Sequence, residues 1–223
     1  MVIAPLLVGA LAGGLAWVHL PLLAFWLSGY FLFFAASLWL KSKRKERYWP
    51  PVRAYAITSG VLGLSVLAFQ PRLIVWAPAF VPAIAVGLWA AAQRRDRDLE
   101  AGLATLVGSA LMTVVAYSAG DGVDFTRAWL LAVIQFLYFA GTIFYVKTVI
   151  RERNNPRFYW WSIAFHVVSA LIVAFISPWM GLVFVLLAVR AAAVPRFGPS
   201  PKALGIGEIF STVIVSVASI LLV

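Results

Sequence analysis

The sequence AWLLAVIQFLYFAGTIFYVKTVIRERNNPRFYWWSIAFHVVSALIVAFIS, residues 128–177, contains two apolar runs on either side of a short basic gap. Each run is close to the roughly 20 residues that an α-helix needs to cross about 30 Å of hydrocarbon. The runs lack the alternation of apolar and polar residues that is typical of membrane β-barrel strands. The stretch therefore predicts two membrane-spanning helices joined by a positively charged loop.

The same pattern continues along the whole chain and predicts about nine spans. The apolar segments are residues 2–18, 22–40, 54–69, 73–92, 101–119, 128–148, 160–177, 180–194 and 204–223. The third and eighth segments are short and a tight hinge lies at Ser177, Pro178 and Trp179, so a count of seven or eight is the alternative. Gly9 and Gly13 form a GxxxG helix-packing motif in the first segment. The predicted fold is an all-α, polytopic transmembrane helical bundle that forms a single domain over residues 1–223, without a soluble domain.

The composition supports a membrane location and excludes several other classes of protein. Hydrophobic residues make up 63% of the chain and charged residues 12%, against about 25% charged residues in a typical soluble domain. A nucleic-acid partner is not expected despite the net charge of +10, because such binders carry their bases on one continuous face of a soluble domain. The chain has no Cys, which excludes disulfides, thiolate metal sites and catalytic thiols.

The basic residues predict the orientation of the chain in the membrane. Sixteen of the 18 Lys and Arg fall at the gaps that follow even-numbered segments, and only Arg72 and Arg127 fall in the others. The sixteen are Lys41, Lys43, Arg44, Lys45, Arg47, Arg53, Arg94, Arg95, Arg97, Lys147, Arg151, Arg153, Arg157, Arg190, Arg196 and Lys202. Basic loops stay on the cytoplasmic side, beside anionic lipid head groups. We therefore expect a cytoplasmic N-terminus, an external C-terminus and anionic lipid as a partner of the basic loops.

Four ionisable residues lie inside predicted spans, where such residues are costly and are candidates for function. They are Lys147, His166, Arg190 and Glu208. Each lies within about 15 Å of a basic loop along its helix, which places all four at a similar depth on the cytoplasmic side. Arg151, in the loop beside Lys147, joins them as a charge partner.

Each of these residues also has a purely structural interpretation. Lys147 and Arg190 have long side chains that can reach the interface, and His166 can be a neutral imidazole bonded to a neighbouring helix. Glu208 is short, so it has to be protonated or paired, with Lys147 or Arg190 as the expected partner.

The surroundings of these residues predict a polar cleft that opens to the cytoplasm. Gly205 and Gly207 precede Glu208 and allow a close approach to its backbone. A polar stripe follows the sixth segment and consists of Gln135, Tyr138, Gly141, Thr142 and Tyr145. The predicted function is to bind or move a small anionic or amphipathic molecule, with Lys147 and Arg151 as charge partners and His166 and Glu208 as proton-handling groups. The alternatives are an intramembrane transferase that acts on a lipid and a structural scaffold subunit, so enzymatic activity stays open.

No cofactor or metal is predicted. His19 and His166 are far apart in the sequence and do not make a ligand set. Residues 93–100, QRRDRDLE, contain three carboxylates that suit Mg²⁺, but the interleaved arginines are expected to neutralise them.

Four stretches of the chain resemble the YwiC-like family of bacterial integral membrane proteins, whose function is uncharacterised. They are MVIAPLLVGALAGG at residues 1–14, YFAGTIFYVKTVIRERNNPRF at 138–158, AFHVVSALIV at 164–173 and KALGIGEIFSTVIV at 202–215. The resemblance implies a multi-pass protein of the bacterial plasma (inner) membrane. It also implies a short leading segment, reading roughly Pro-Arg-Glu-His-Gly-Ala-Trp, before the first span, so we expect that this member lacks that segment or that its start codon is assigned too late.

The predicted layout is also similar to that of the UbiA-type intramembrane prenyltransferases. Those enzymes use paired Asp-rich motifs in two loops to hold Mg²⁺ against a departing diphosphate. The corresponding loops here contain one acid each, Glu46 and Glu152, which argues against that chemistry.

Overall fold

The computed structural model describes residues 1–95, 98–120 and 122–223. Regular secondary structure in these residues is helical. The α-helices are α1 (Ile3–Gly13), α2 (His19–Lys41), α3 (Trp49–Phe69), α4 (Ala77–Ala92), α5 (Leu99–Ala119), α6 (Phe125–Ile150), α7 (Pro156–Ile176), α8 (Pro178–Phe197) and α9 (Pro201–Leu222). Two short 3-10 helices, Glu46–Tyr48 and Pro71–Trp76, precede α3 and α4. The all-α prediction is confirmed, and each predicted apolar segment overlaps one α-helix.

Eight helical segments within the described ranges are long and apolar enough to cross a membrane. They correspond to α2–α9, with the 3-10 helices extending α3 and α4 to 24 and 22 residues. The first segment differs from the prediction, because α1 has only 11 residues instead of continuing to residue 18. Its helix ends at Gly13, since Gly14 adopts a φ of 93°, which is outside the helical region and suits glycine.

The later helices begin at signals that are visible in the sequence. Pro156, Pro178 and Pro201 occupy first helical positions, where the missing N–H costs nothing. The residue before each proline accepts a backbone N–H through its side chain, as Ser200 does from Ala203 at 3.2 Å. The hinge predicted at Ser177 is the boundary between α7 and α8.

The chain divides into two compact units, Met1–Trp129 (unit 1) and Leu130–Val223 (unit 2). In unit 1, α1 packs closely on α5, because Gly9 faces the carbonyl of Thr113 and Gly13 faces Tyr117. The buried His19 lies where this pair meets α2. In its neutral Nε2–H form, its ring donates to the carbonyl of Ala116 at 2.8 Å and accepts the N–H of Ala16 at 2.9 Å.

Unit 2 consists of the larger part of α6 together with α7, α8 and α9. On α6, Phe144 stacks on Phe165 of α7, with 4.8 Å between the ring centroids. The hydroxyl of Tyr159 on α7 donates to the carbonyl of Ala192 on α8 at 2.7 Å. The contacts that join α9 to α6 and α8 include several polar side chains, and these contacts form the candidate site.

Candidate functional site

An ion pair between α8 and α9 lies at the centre of the site. Nη1 of Arg190 is 2.5 Å from Oε1 of Glu208. The two side chains are only 18% and 14% exposed. The helices run antiparallel from a tight turn at Gly198, which has the left-handed φ of 58° that favours glycine. Arg190 and Glu208 each lie about 10 Å from the turn along their helices, so the hairpin places them opposite each other.

The α6 helix completes the surroundings of the Glu208 carboxylate. The hydroxyl of Thr142 donates to Oε2 of Glu208 at 2.8 Å. The hydroxyl of Tyr138 lies at the longer distance of 3.5 Å from the same oxygen and 2.9 Å from the hydroxyl of Thr212. Both carboxylate oxygens of Glu208 therefore have hydrogen-bond donors within the helices.

Arg190 makes two further contacts in addition to the ion pair. Its Nη1 donates to the hydroxyl of Ser211 at 2.7 Å. Its guanidinium carbon lies 4.3 Å from the centroid of the Tyr145 ring, in the range of a cation–π contact. Its buried Nε has no hydrogen-bond partner among the described residues. The guanidinium is thus fixed in position but retains an unused donor at Nε.

The ion pair forms part of the wall of a partly open cavity of about 190 Å³, which we call the Arg190 cleft. The polar part of its lining is Arg190, Glu208 and Tyr145. The remaining lining residues are small or apolar: Val194, Pro199, Ala203, Leu204 and Gly207. A side chain at Gly207 would meet open space, so the glycine leaves room beside the carboxylate. The cleft therefore combines one charged wall with an apolar wall.

His166 lies on α7, where its ring faces α6. It is 4% exposed, its Nδ1–H donates to the carbonyl of Ser162 at 2.7 Å, and its Nε2 faces Gly141. The hydroxyls of Ser162 and Ser169 on the same face of α7 are buried and have no hydrogen-bond partner among the described residues. The His166 ring thus lies with its Nε2 inside the α6–α7 interface. It does not line the Arg190 cleft.

Lys147 and Arg151 lie at the loop end of unit 2. Lys147 is half-buried in the last turn of α6, and Arg151 is exposed just after that helix. At the end of the helix, the carbonyl of Lys147 accepts the N–H of Arg151 at 2.9 Å and that of Glu152 at 2.8 Å. Neither side chain belongs to the lining of the Arg190 cleft. Of the five predicted site residues, the structure therefore brings Arg190 and Glu208 together, and the other three do not line the cleft.

The polar stripe of α6 was predicted from the sequence, but the side chains that it contacts were not. Its members Tyr138, Thr142 and Tyr145 all contact the ion pair or its neighbours. Sequence reasoning missed Ser211 and Thr212 on α9. They follow Glu208 by three and four positions, a spacing that places them on the same face of a helix as Glu208 and that could have identified them.

The loop between α4 and α5 shows the charge neutralisation that its sequence predicts. Arg95 Nε lies 2.8 Å from Asp98 Oδ2, and Arg95 Nη2 lies 3.8 Å from Glu100 Oε2. The hydrogen bond to Asp98 raises the pKa of the already basic Arg95 further. Asp96 and Arg97, the other residues of that prediction, lie outside the described residues. Among the described residues, no group of three or more His, Cys, Asp or Glu is arranged to hold a metal ion.

The first half of the chain matches a known protein family. The model of the YwiC-like protein family matches residues 1–117, just over half of the 223 residues. The chain belongs to the YwiC-like family. Together with the eight long apolar helices of the described residues, this identifies a multi-pass membrane protein of an uncharacterised family.

Two relatives are similar to this YwiC-like chain over most of its length. An uncharacterized protein of Haemophilus influenzae is 29% identical over 215 residues, which cover 96% of this chain and 90% of that protein. The uncharacterized protein YwiC of Bacillus subtilis is 28% identical over 192 residues, which cover 86% of this chain and 80% of that protein. No solved structure matches the chain. Because both alignments are longer than unit 1, each of these proteins also matches part of unit 2.

Proposed function

We propose that unit 2 binds a small anionic or amphipathic molecule in the Arg190 cleft, and that the chain binds or moves this molecule at one face of the membrane. The observation that carries the proposal is the ion pair of Arg190 and Glu208 in the cleft wall. Charged groups inside apolar helices are costly and are typical of substrate and ion pathways. A pair with a purely structural role would not need an adjoining cavity.

The chemistry of the cleft walls defines the class of ligand. A guanidinium is planar and matches the oxygens of a carboxylate or phosphate. In the structure the carboxylate that contacts the Arg190 guanidinium is that of Glu208. A ligand anion competes with Glu208 for Arg190, and protonation of Glu208 favours the exchange. Val194 and Leu204 provide an apolar wall for a hydrocarbon tail, so an amphipathic anion fits both walls.

The remaining predicted site residues have roles outside the cleft wall. We propose that Lys147 and Arg151 attract the anion at the loop end of unit 2, and that His166 and Glu208 handle protons. We also propose that the basic loops face the cytoplasm of a bacterial cell, because basic loops are retained on that side of the plasma membrane. The Arg190 cleft then opens toward the cytoplasm.

The first test compares the parent chain with an Arg190→Met variant. Detergent-purified protein is heated with decyl phosphate, decanoate or the neutral decanol, each below its critical micelle concentration. Ligands that bind only the folded state raise the midpoint of thermal unfolding. We expect the two anions, but not decanol, to raise the midpoint of the parent chain. Arg190→Met should lose this response, because the guanidinium is gone.

Arg196→Met is the matched control, since Arg196 lies in the last turn of α8 and is not part of the cleft lining. It should respond to both anions as the parent chain does. Arg190→Lys keeps a positive charge beside Glu208 and should retain the fold with a weakened response. If Arg190→Met responds as strongly as the parent chain, Arg190 does not bind the anion and the proposal is wrong.

A further inference from the structure

A second cavity, of about 180 Å³, lies in unit 1 between α2, α4 and α5, and we call it the α2 groove. One face of α2 supplies most of its wall. The helices opposite contribute small residues, Gly87 and Ala101. A side chain at Gly87 would collide with the ring of Phe33, so the glycine allows this wall residue of α2 to lie directly against α4.

The wall that α2 contributes changes from charged to apolar along the helix. Lys41 is the last residue of α2 and lies at the mouth of the groove. Ser37 is about 6 Å deeper, Phe34 about 10 Å deeper and Tyr30 about 16 Å deeper. A glycerophospholipid has the same order of groups, with a phosphate, then ester oxygens, then acyl chains.

The unpaired hydroxyl of Ser37 indicates that the groove binds a ligand. Its residue is only 9% exposed, and its hydroxyl is buried without a hydrogen-bond partner among the described residues. Serine in a helix commonly donates to a carbonyl of the preceding turn, as Ser28 does in the same helix and Ser42 does just after its end. A buried hydroxyl without a partner costs free energy. An acceptor in the groove would remove that cost.

Exposed aromatic side chains border the groove, which suits contact with the hydrocarbon of a membrane. The side chains of Tyr30 and Phe34 on its rim are 46% and 56% exposed. The mouth is basic, because Arg94 donates to the carbonyl of Lys41 at 3.4 Å beside the Lys41 side chain. A lipid can therefore enter from the bilayer without passing through water. The positive mouth favours a lipid with net negative charge over a zwitterionic one.

We propose that the α2 groove is a binding site for one anionic phospholipid of the surrounding bilayer. Its phosphate contacts Lys41, an ester oxygen accepts the Ser37 hydroxyl, and the upper acyl chain packs on Phe33 and Phe34. The site belongs to unit 1 and is independent of the function proposed for the Arg190 cleft.

Native mass spectrometry of the full detergent-purified chain tests this proposal. The protein is equilibrated with equal amounts of phosphatidylglycerol and phosphatidylcholine, and the bound lipids are counted by mass. We expect one phosphatidylglycerol to be retained in preference to phosphatidylcholine. Lys41→Met should reduce this preference about tenfold, as expected for the loss of one charge-assisted contact. Lys43→Met, two positions further along the same basic loop and outside the groove, should keep it.

Two further variants distinguish the groove from a general attraction to the basic loop. Ser37→Ala removes only a hydroxyl, and it should weaken retention of both lipids while phosphatidylglycerol stays preferred. Ala101→Leu fills the groove and should abolish specific retention, with unchanged circular dichroism showing that the helices persist. The proposal is overturned if Lys43→Met loses as much preference as Lys41→Met, if Ser37→Ala retains lipid like the parent chain, or if the two lipids bind equally to the parent chain.

Discussion

At the scale of single residues, the ion pair of Arg190 and Glu208 contributes to the stability of the fold but competes with the proposed binding of an anion. Thr142 and Arg190 both donate to the Glu208 carboxylate, which stabilises the folded helices. The same carboxylate occupies the place against Arg190 where a ligand anion would bind. Stability and binding should therefore respond in opposite directions when the charge of Glu208 is removed.

We expect Glu208→Gln to be less stable than the parent chain and to bind decyl phosphate more tightly. The amide keeps the shape of the side chain but loses charge-assisted hydrogen bonds, which should lower the free energy of unfolding by about 1–3 kcal/mol. It also no longer competes as an anion for Arg190. Denaturant unfolding in detergent and isothermal titration calorimetry measure the two effects.

Glu152→Gln serves as the control for this pair of measurements. Glu152 lies in the loop between α6 and α7, where it accepts a hydrogen bond from exposed Asn155. Neither stability nor decyl phosphate binding should change appreciably in this variant. Weaker binding to Glu208→Gln than to the parent chain would mean that Glu208 attracts the ligand instead of competing with it.

At the scale of helices, the contact between α1 and α5 depends on two glycines of the GxxxG motif. Gly9→Ala places a methyl group against the carbonyl of Thr113, and backbone atoms cannot move aside as a flexible side chain can. Overpacking of this kind is expected to lower the free energy of unfolding by about 1–3 kcal/mol. Thermal or denaturant unfolding of the detergent-purified variant measures the change.

Gly29→Ala in α2 is the matched substitution. A side chain at Gly29 would meet no atom within 4 Å, and alanine favours a helix over glycine by about 0.5–1 kcal/mol. It should leave stability unchanged or raise it slightly. Equal losses in Gly9→Ala and Gly29→Ala would show that the close approach of α1 to α5 does not contribute to stability.

These elements also show how far the sequence predicts the structure. Long apolar runs with charged gaps are sufficient to locate helices, because the pattern repeats over whole segments. The end of α1 depends instead on the conformation of Gly14. Glu208 was expected to pair with Lys147 or Arg190, and the antiparallel α8–α9 hairpin brings it to Arg190. The position of His166 against Gly141 depends on how α6 and α7 pack, which composition and spacing do not specify.

At the scale of the whole molecule, the loop charges predict the topology and the chain offers a direct way to test it. Because the chain has no Cys, a single introduced cysteine is the only thiol that a maleimide can label. Lys43→Cys and Asn154→Cys lie in basic loops that are predicted to be cytoplasmic. Val123→Cys lies in the gap between α5 and α6, on the predicted outer side, at a residue that is 88% exposed.

We expect a membrane-impermeant maleimide to label Val123→Cys in intact bacterial spheroplasts, and to label the other two variants only after the membrane is permeabilised. The physical reason is that basic loops resist transfer across the membrane. The sixteen Lys and Arg predicted on one side therefore fix the orientation of the helices between those loops. Labelling in the reverse order would show that the chain is inverted and that the Arg190 cleft faces outward. The cysteine-free parent chain reports any background labelling. If only one of the two basic-loop variants is labelled in intact spheroplasts, residues 43 and 154 lie on opposite sides of the membrane, and the number of crossings between them is odd.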